Sequence, residues 1–162
     1  MPKMTIERGA SGSGKSTHAK SLIASNWGDG DTTPQIISAD DFFMRRGIYN
    51  FDPSLLGEAH GSCIRKTVAG IMRRADLVID NTNCRVSEIA PYYALGDAYD
   101  YEVEIVCHMP NPITYDGLTA KRLADRSRHG VPSSTIENML HTINSEQLPP
   151  WWKQTIIYVN GV

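Results

Sequence analysis

The stretch Gly9-Ala10-Ser11-Gly12-Ser13-Gly14-Lys15-Ser16-Thr17 lies between a short apolar run, residues 4–8, and a stretch of helical spacing, residues 15–26. It matches the pattern G-x-x-x-x-G-K-[ST], with Gly9, Gly14, Lys15 and Ser16 in register. Glycines let the backbone adopt angles that a side chain would obstruct, so successive N–H groups can curl around phosphate oxygens. The helix that follows adds its positive end to the same place. A glycine- and serine-rich surface turn is the alternative, but the flanking apolar and helical runs favour a phosphate-binding loop.

This loop predicts a site for a nucleoside triphosphate, ATP or GTP, together with Mg²⁺. Lys15 is expected to reach the β and γ phosphates, and the Ser16 hydroxyl is expected to ligate the metal. Lys15 therefore counts among the predicted catalytic residues as well. The predicted nucleotide-binding residues of the loop are Gly9, Ser11, Gly12, Ser13, Gly14, Lys15, Ser16 and Thr17.

The composition is that of an ordinary globular domain. The 162 residues are 41% hydrophobic and 21% charged, and no apolar run reaches the length of a membrane span. Residues 1–162 are therefore expected to form one soluble domain. Three widely spaced cysteines and the lack of an export signal indicate a cytoplasmic protein with reduced thiols. The net charge of −2 excludes a broad basic surface, so any contact with nucleic acid must be focused.

Apolar runs and helical spacings alternate along the chain. This alternation predicts an α/β fold with a parallel five-stranded sheet flanked by helices. Residues 44–53 are expected to form a loop or a short helical turn over a pocket. The predicted strands are residues 4–8, 35–38, 77–80, 101–108 and 155–159. The predicted helices are residues 15–26, 54–74, 87–98 and 114–128, with another beginning at residue 134.

Acidic residues follow two of the predicted strands. Asp40 and Asp41 come after the second strand, and Asp80 ends the third. In a parallel sheet the carboxyl ends of the strands meet at one edge, so these groups are expected near the phosphates. Asp80 has the Walker-B-like position, where the carboxylate holds a water on Mg²⁺. A strand that merely ends at an Asx turn is the alternative for Asp80.

Four basic residues within eight positions lie on the predicted helix at 114–128: Lys121, Arg122, Arg126 and Arg128. Arg122 and Arg126 are four residues apart and share one face. In a chain of net negative charge, this cluster favours contacts with phosphates over a merely solvated face. Residues 112–132 are therefore expected to form a small arginine-bearing lid on the domain.

Aromatic residues surround the segment that follows Asp41. They are Phe42, Phe43, Tyr49 and Phe51. They suit the stacking of a nucleic-acid base, and they equally suit an amphipathic segment that packs on the core. Both interpretations stay open at this point.

With these blocks in order, the chain resembles the P-loop kinase family typified by the phage-type polynucleotide kinase domain, among the AAA-type and zeta-toxin-like P-loop kinases. The blocks are Arg8-Gly9 with Gly12-Ser13-Gly14-Lys15-Ser16-Thr17, Ser38-Ala39-Asp40-Asp41-Phe42, Ile79-Asp80-Asn81-Thr82-Asn83, and Arg122 and Arg126 ahead of His129-Gly130-Val131-Pro132. The resemblance implies a three-layer P-loop NTPase fold. It also implies that Asp40 is the general base and that Arg126 and Arg122 close over the triphosphate.

Two positions depart from the family pattern. Those kinases carry an arginine three residues after the catalytic aspartate, where it contacts the acceptor phosphate, and this chain has Phe43. Either Arg45 or Arg46 substitutes, or the acceptor is held differently. The proline usual before the Gly-Ser-Gly-Lys is Ser11 here. The residues assigned to the acceptor are Asp41, Phe42, Phe43, Arg45, Arg46, Tyr49 and Asn83.

The expected activity is transfer of the γ-phosphate of ATP or GTP to a hydroxyl of a nucleic acid, most simply a polynucleotide 5′-hydroxyl. Related acceptors stay open: a hydroxymethylated base such as 5-hydroxymethyluracil in phage-type DNA, or a free nucleoside or nucleotide. Outside enzymes, the alternative is a nucleotide-dependent binding or regulatory module. No membrane partner is expected.

Overall fold

The central sheet of the computed structural model, which describes residues 1–25 and 34–162, has five parallel strands. Numbered along the chain, the strands are β1 (Lys3–Arg8), β2 (Gln35–Ile37), β3 (Met44–Arg45), β4 (Ile48–Tyr49), β5 (Leu77–Ile79), β6 (Glu102–Asn111) and β7 (Gln154–Asn160). The helices are α1 (Lys15–Ser25), α2 (Asp40–Phe43), α3 (Leu56–Met72), α4 (Val86–Ala98), α5 (Gly117–Arg126) and α6 (Ser133–Ser145).

The sheet order is β2-β5-β1-β6-β7. Strand β1 lies in the middle, where Met4 is in register with Leu77 on one side and Val103 on the other. The predicted parallel α/β sheet is therefore confirmed. Because all five strands point the same way, the loop after β1 and the segments after β2 and β5 leave the same edge of the sheet.

Two segments of the structure differ from the predictions. Helix α5 begins at Gly117 rather than at residue 114, because the Asp116 Oδ1 accepts a hydrogen bond from the Thr119 N–H at 2.8 Å and caps the helix. Residues 44–53 form neither a loop nor a helical turn throughout. Their first half is a hairpin, β3 paired antiparallel with β4, which turns through Arg46 and Gly47 at positive φ. The end of the first predicted helix and most of the connection after it lie outside the described residues.

Two apolar clusters hold the layers together. The larger lies between the sheet and helices α3 and α4, and includes the fully buried Met4, Ile6, Ile79 and Ile105. The smaller joins α5 and α6 to the edge of the sheet, and consists of Ala10, Ala120, Leu123, Ile136, Leu140, Val159 and Val162. The arginine-bearing helix α5 is thus packed against the domain by its own apolar face.

A buried arginine ties the helical layers to the central strand. Arg8, at the end of β1, donates hydrogen bonds to the carbonyl oxygens of Cys84 at 3.0 Å and Glu146 at 2.7 Å. Its guanidinium therefore links β1 to the backbone just before α4 and just after α6. Among the described residues, no helix has both the length and the apolar character needed to cross a membrane.

Candidate active site

The loop between β1 and α1 has the backbone that its glycines predict. Gly12 and Gly14 have φ values of 80° and 91°, which side chains disfavour. A Cβ on Gly12 would also collide with the carbonyl oxygen of Leu123 in α5. This loop can therefore lie directly beneath α5 only because residue 12 is a glycine.

Lys15 is turned into the loop. Its side chain is buried, and its Nζ donates to the carbonyl oxygen of Ala10 at 2.8 Å. Burial lowers the pKa of Lys15, against the opposing charge of Asp80. The Lys15 ammonium group has few contacts with solvent and lines a cavity. It is therefore suited to bind an anionic ligand.

Asp80 follows β5 and lies next to the start of α1. Burial raises the pKa of Asp80, whereas a hydrogen bond with Ser16 and the charge of Lys15 lower it. A carboxylate beside a hydroxyl is a set of hard oxygen donors, which is the set that Mg²⁺ prefers. Ser16 and Asp80, both predicted at the metal, are therefore brought together, and they fit such an ion.

Asp40 begins α2, and its carboxylate has two side-chain partners. The Tyr49 hydroxyl donates to Oδ1 at 3.3 Å, and Nε2 of His129 lies 3.3 Å from Oδ2. The rings of Tyr49 and His129 stack on each other, with centroids 3.9 Å apart and an interplanar angle of 22°. The carboxylate still has 50% of its side-chain surface exposed. It is therefore fixed in direction and open to a ligand.

One cavity of about 910 Å³ joins these groups. Its walls carry loop residues Gly12, Gly14, Lys15, Ser16 and Thr17, together with Asp40, Asp80, Arg126 and the aromatic side chains of Phe43, Tyr49 and Phe51. A volume of this order suits a small ligand or cofactor. The phosphate loop and the Asp40 carboxylate thus open onto the same space.

The two arginines of α5 are placed differently. Arg126 lies on the cavity wall, with Nη1 3.4 Å from the carbonyl oxygen of Asn160. Arg122 is exposed and is not part of the wall. Only the C-terminal end of α5 reaches the cavity, and Arg122 lies one turn back from that end. Arg122 and Arg126 share a helix face, but only Arg126 of the two lines the cavity.

The residues assigned to the acceptor also separate. Phe43 and Tyr49 line the cavity, whereas Asp41, Phe42, Arg45 and Arg46 do not. Phe43 is only 3% exposed, and its ring packs edge-on against that of Phe51, with the ring centroids 5.1 Å apart. The ring of Phe43 therefore belongs to the core. The exposed ring is that of Phe51.

Three predicted positions have structural roles in this geometry. Asn83 is not on the cavity wall; its buried Nδ2 donates to the Glu7 carbonyl oxygen at 2.7 Å and ties the segment after β5 to β1. The Gly9 N–H donates to the carbonyl oxygen of Thr82 at 2.9 Å. Ser13 is buried in the loop. Ser11, by contrast, lies on the cavity wall.

His129 was not among the predicted site residues. Its sequence neighbours, Gly130 and Pro132, indicate only that a helix has ended. The available signal was its place just after the arginine helix, on a segment expected to fold over the site. The structure brings its imidazole to Asp40.

The chain matches a known protein family and a curated relative. A family described as an AAA domain matches residues 4–145. Human NEDD4-binding protein 2 is 35% identical over 138 residues, which cover 85% of this chain and only 7% of that protein.

Solved structures share the fold at lower identity. A chain of the Pnkp1/Rnl/Hen1 RNA repair complex matches with a TM-score of 0.63 and 22% identity, over 89% of this chain and 44% of that one. A gluconokinase from Sinorhizobium meliloti 1021 also matches with a TM-score of 0.63, at 15% identity, over 99% of this chain and 85% of the other. Because the family match covers most of the chain, the protein belongs to the AAA domain family.

Proposed function

We propose that the protein is an ATP-dependent kinase that transfers the γ-phosphoryl group to a hydroxyl of a nucleic acid, most simply a polynucleotide 5′-hydroxyl. One observation carries the proposal. The Asp40 carboxylate opens onto the same cavity as Lys15 and the phosphate loop. A protein that only binds a nucleotide has no need of a second, oriented carboxylate on the acceptor side of that cavity.

In this proposal Asp40 takes the proton of the acceptor hydroxyl as its oxygen attacks the γ phosphorus. The bond between the γ phosphorus and the bridging oxygen breaks, and ADP leaves. Lys15 and Arg126 offset the negative charge on the transferring group, which is the main requirement of phosphoryl transfer. Ser16 and Asp80, the latter through a water, would hold Mg²⁺, which supplies further neutralisation of the phosphates when bound.

The contacts of Asp40 support its role. Tyr49 and His129 hold the carboxylate from two sides, which fixes its direction before an acceptor arrives. Fixed orientation of a base and an acceptor contributes to rate by removing the entropy cost of aligning them. The likeness to a chain of an RNA repair complex is compatible with a nucleic-acid acceptor, and the likeness to a gluconokinase is compatible with a smaller one.

The test is a panel of acceptors with γ-labelled ATP: 5′-hydroxyl DNA and RNA, nucleosides, nucleotides and DNA with hydroxymethylated bases. Asp40→Asn should lower the rate of transfer by about 10²–10⁴-fold, because a general base contributes on that scale. Affinity for ATP should change less than about twofold. Asp41→Asn is the matched control, since Asp41 is adjacent, exposed and off the cavity wall. Unaltered transfer by Asp40→Asn would exclude this residue as the base.

A second candidate is a kinase of a nucleoside, a nucleotide or a hydroxymethylated base. The observation that favours it is that Arg45 and Arg46 lie off the cavity wall. Neither is placed to substitute for the arginine that polynucleotide kinases carry at the position of Phe43. A long polyanion would then find few cationic partners on the acceptor side. A salt series separates the two candidates, because each phosphate contact adds to the salt dependence of binding. Binding of ATP without transfer to any acceptor would instead favour a regulatory module.

A further inference from the structure

A carboxylate and two imidazoles form a cluster directly behind the phosphate loop. Glu7 comes from β1, His18 from α1 and His108 from β6. Nδ1 of His18 lies 2.7 Å from Oε1 of Glu7, and Nε2 of His108 lies 2.6 Å from Oε2. One ligand atom from each side chain lies within 4.8 Å of the other two. None of the three residues is on the wall of the active-site cavity.

Among residues 1–25 and 34–162, no Lys or Arg side chain donates a hydrogen bond to Glu7, the carboxylate of this cluster. The Glu7 side chain is fully buried and His108 is 3% exposed, whereas the His18 side chain is 25% exposed. Within the described residues, the only hydrogen-bond partners of the Glu7 carboxylate are the two imidazoles. Lys15 and Arg8 make their hydrogen bonds to carbonyl oxygens rather than to this carboxylate, Lys15 to that of Ala10 and Arg8 to those of Cys84 and Glu146. A buried carboxylate without a cation is costly, so this site favours a bound positive charge.

We propose that Glu7, His18 and His108 form a binding site for a divalent transition metal of the zinc class. Two imidazole nitrogens and a carboxylate oxygen are a typical zinc donor set, and Mg²⁺ prefers oxygen alone. The exposed quarter of the His18 side chain gives water access to the cluster as a fourth ligand. On binding, the ligating nitrogen of each imidazole loses the proton that it donates to Glu7, so that the proton of the ring lies on the nitrogen that faces away from the metal. The ligand atoms move to about 3.3 Å from one another, as tetrahedral coordination requires.

The position of the site indicates what the metal would do. Glu7 is two residues before Gly9, and His18 is two residues after Ser16, so both ends of the phosphate loop would be joined through the ion. His108 packs against the loop as well, since a Cβ on Gly9 would lie 3.0 Å from the Cβ of His108. A metal here would therefore link β1, α1 and β6 and stiffen the loop from behind. This inference is independent of the proposed acceptor and of any transfer activity.

The test uses the full chain with any affinity tag removed, stripped with a chelator and kept in excess Mg²⁺ so that Ser16 and Asp80 are occupied. Zn²⁺ is then added, and bound metal is counted after gel filtration. About one Zn²⁺ per chain is expected. At 100 times Kd, the Tm should rise by about 5–10 °C. Co²⁺ should give the visible absorption bands of a four-coordinate site.

His18→Asn is the decisive variant, because an asparagine keeps a hydrogen-bond donor near Glu7 and is a poor zinc ligand. It should fold, lose stoichiometric Zn²⁺ and lose the Tm shift. His141→Asn is the matched control, since His141 is exposed on α6 and, within the described residues, forms its one ion pair with Glu137, at 3.9 Å. Wild type without bound Zn²⁺ would overturn the proposal and leave a hydrogen-bonded cluster. Equal Zn²⁺ binding by wild type and His18→Asn would overturn it as well.

Discussion

At the scale of single residues, the unusual feature is how Asp40 is held. Its two partners come from different parts of the chain, Tyr49 from the hairpin after α2 and His129 from the segment after α5. Their stacked rings form one surface against the carboxylate. The hairpin side and the α5 side of the cavity therefore meet at Asp40, so a ligand that displaces either ring also alters the setting of the proposed base.

The Tyr49 hydroxyl gives a pH prediction. Burial and the neighbouring charge of Asp40 raise the pKa of Tyr49 to about 12, compared with an ordinary value of about 10. Between these values the folded state holds the proton and the unfolded state has lost it, so the stabilising contribution of Tyr49 is present below pH 10 and falls as the pH rises.

Tyr49→Phe carries no such proton. The difference in unfolding free energy between wild type and Tyr49→Phe should therefore shrink as the pH rises from about 9 to 11. The change should stay below ~1 kcal/mol, because solvent screens this partly exposed group. Urea denaturation at several pH values measures it. A difference that stays constant across this range would show that burial and Asp40 do not raise the pKa of the Tyr49 hydroxyl.

At the scale of elements, helix α5 determines which arginine reaches the cavity. Arg126 stands at its C-terminal end on the cavity wall, and Arg122 stands outside. Arg126→Ala should lower kcat by about 10²-fold, as expected for loss of one charge that stabilises the transition state. Arg122→Ala should change kcat less than about threefold. Equal losses for the two variants, measured under saturating ATP, would mean that α5 rotates when ligand binds.

The contact between α5 and the phosphate loop gives a second prediction. Gly12→Ala introduces a Cβ that meets the Leu123 carbonyl oxygen, at a residue with φ of 80°. It should weaken ATP binding at least about tenfold and lower the unfolding free energy by ~1–3 kcal/mol.

Gly47→Ala is the matched control for this variant. Gly47 has φ of 79°, and a Cβ there meets nothing within 4 Å. Gly47→Ala should lower the unfolding free energy by about 1–2 kcal/mol through backbone strain alone, and should bind ATP normally. Calorimetry and equilibrium unfolding of both variants separate strain from collision. If the two variants bind ATP equally well, the close packing of α5 on the loop is not required for binding.

At the scale of the whole molecule, the three cysteines are interior residues. Burial raises the pKa of Cys84 to about 11 and also raises the pKa of Cys63 and of Cys107. At pH 8 the thiolate fraction of Cys84 is then on the order of 10²-fold below that of a free thiol. A thiol-specific disulfide reagent should label no cysteine of the native protein within minutes and all three in denaturant. Rapid labelling of the native protein would contradict this packing.

Much of this architecture followed from local signals. The glycine loop, the strands and their parallel order were predictable because apolar runs, turn residues and helical spacing act over short distances. The placement of Arg122, Asn83 and His129 was not, because it depends on where α5 ends and how β5 packs on β1. The cluster of Glu7, His18 and His108 likewise joins residues up to 101 positions apart, and no local pattern marks it.

Strand β7 has a practical consequence for anyone who shortens this domain. The family match ends at residue 145, yet β7 pairs with β6 from Ile105–Gln154 to Asn111–Asn160 and buries Val159 beneath α5. A fragment trimmed to the matched span would leave the backbone of β6 open along that edge, ready to pair with another molecule. Expression fragments and fusion junctions should therefore be placed after residue 162, and fragments that stop at residue 145 are expected to aggregate.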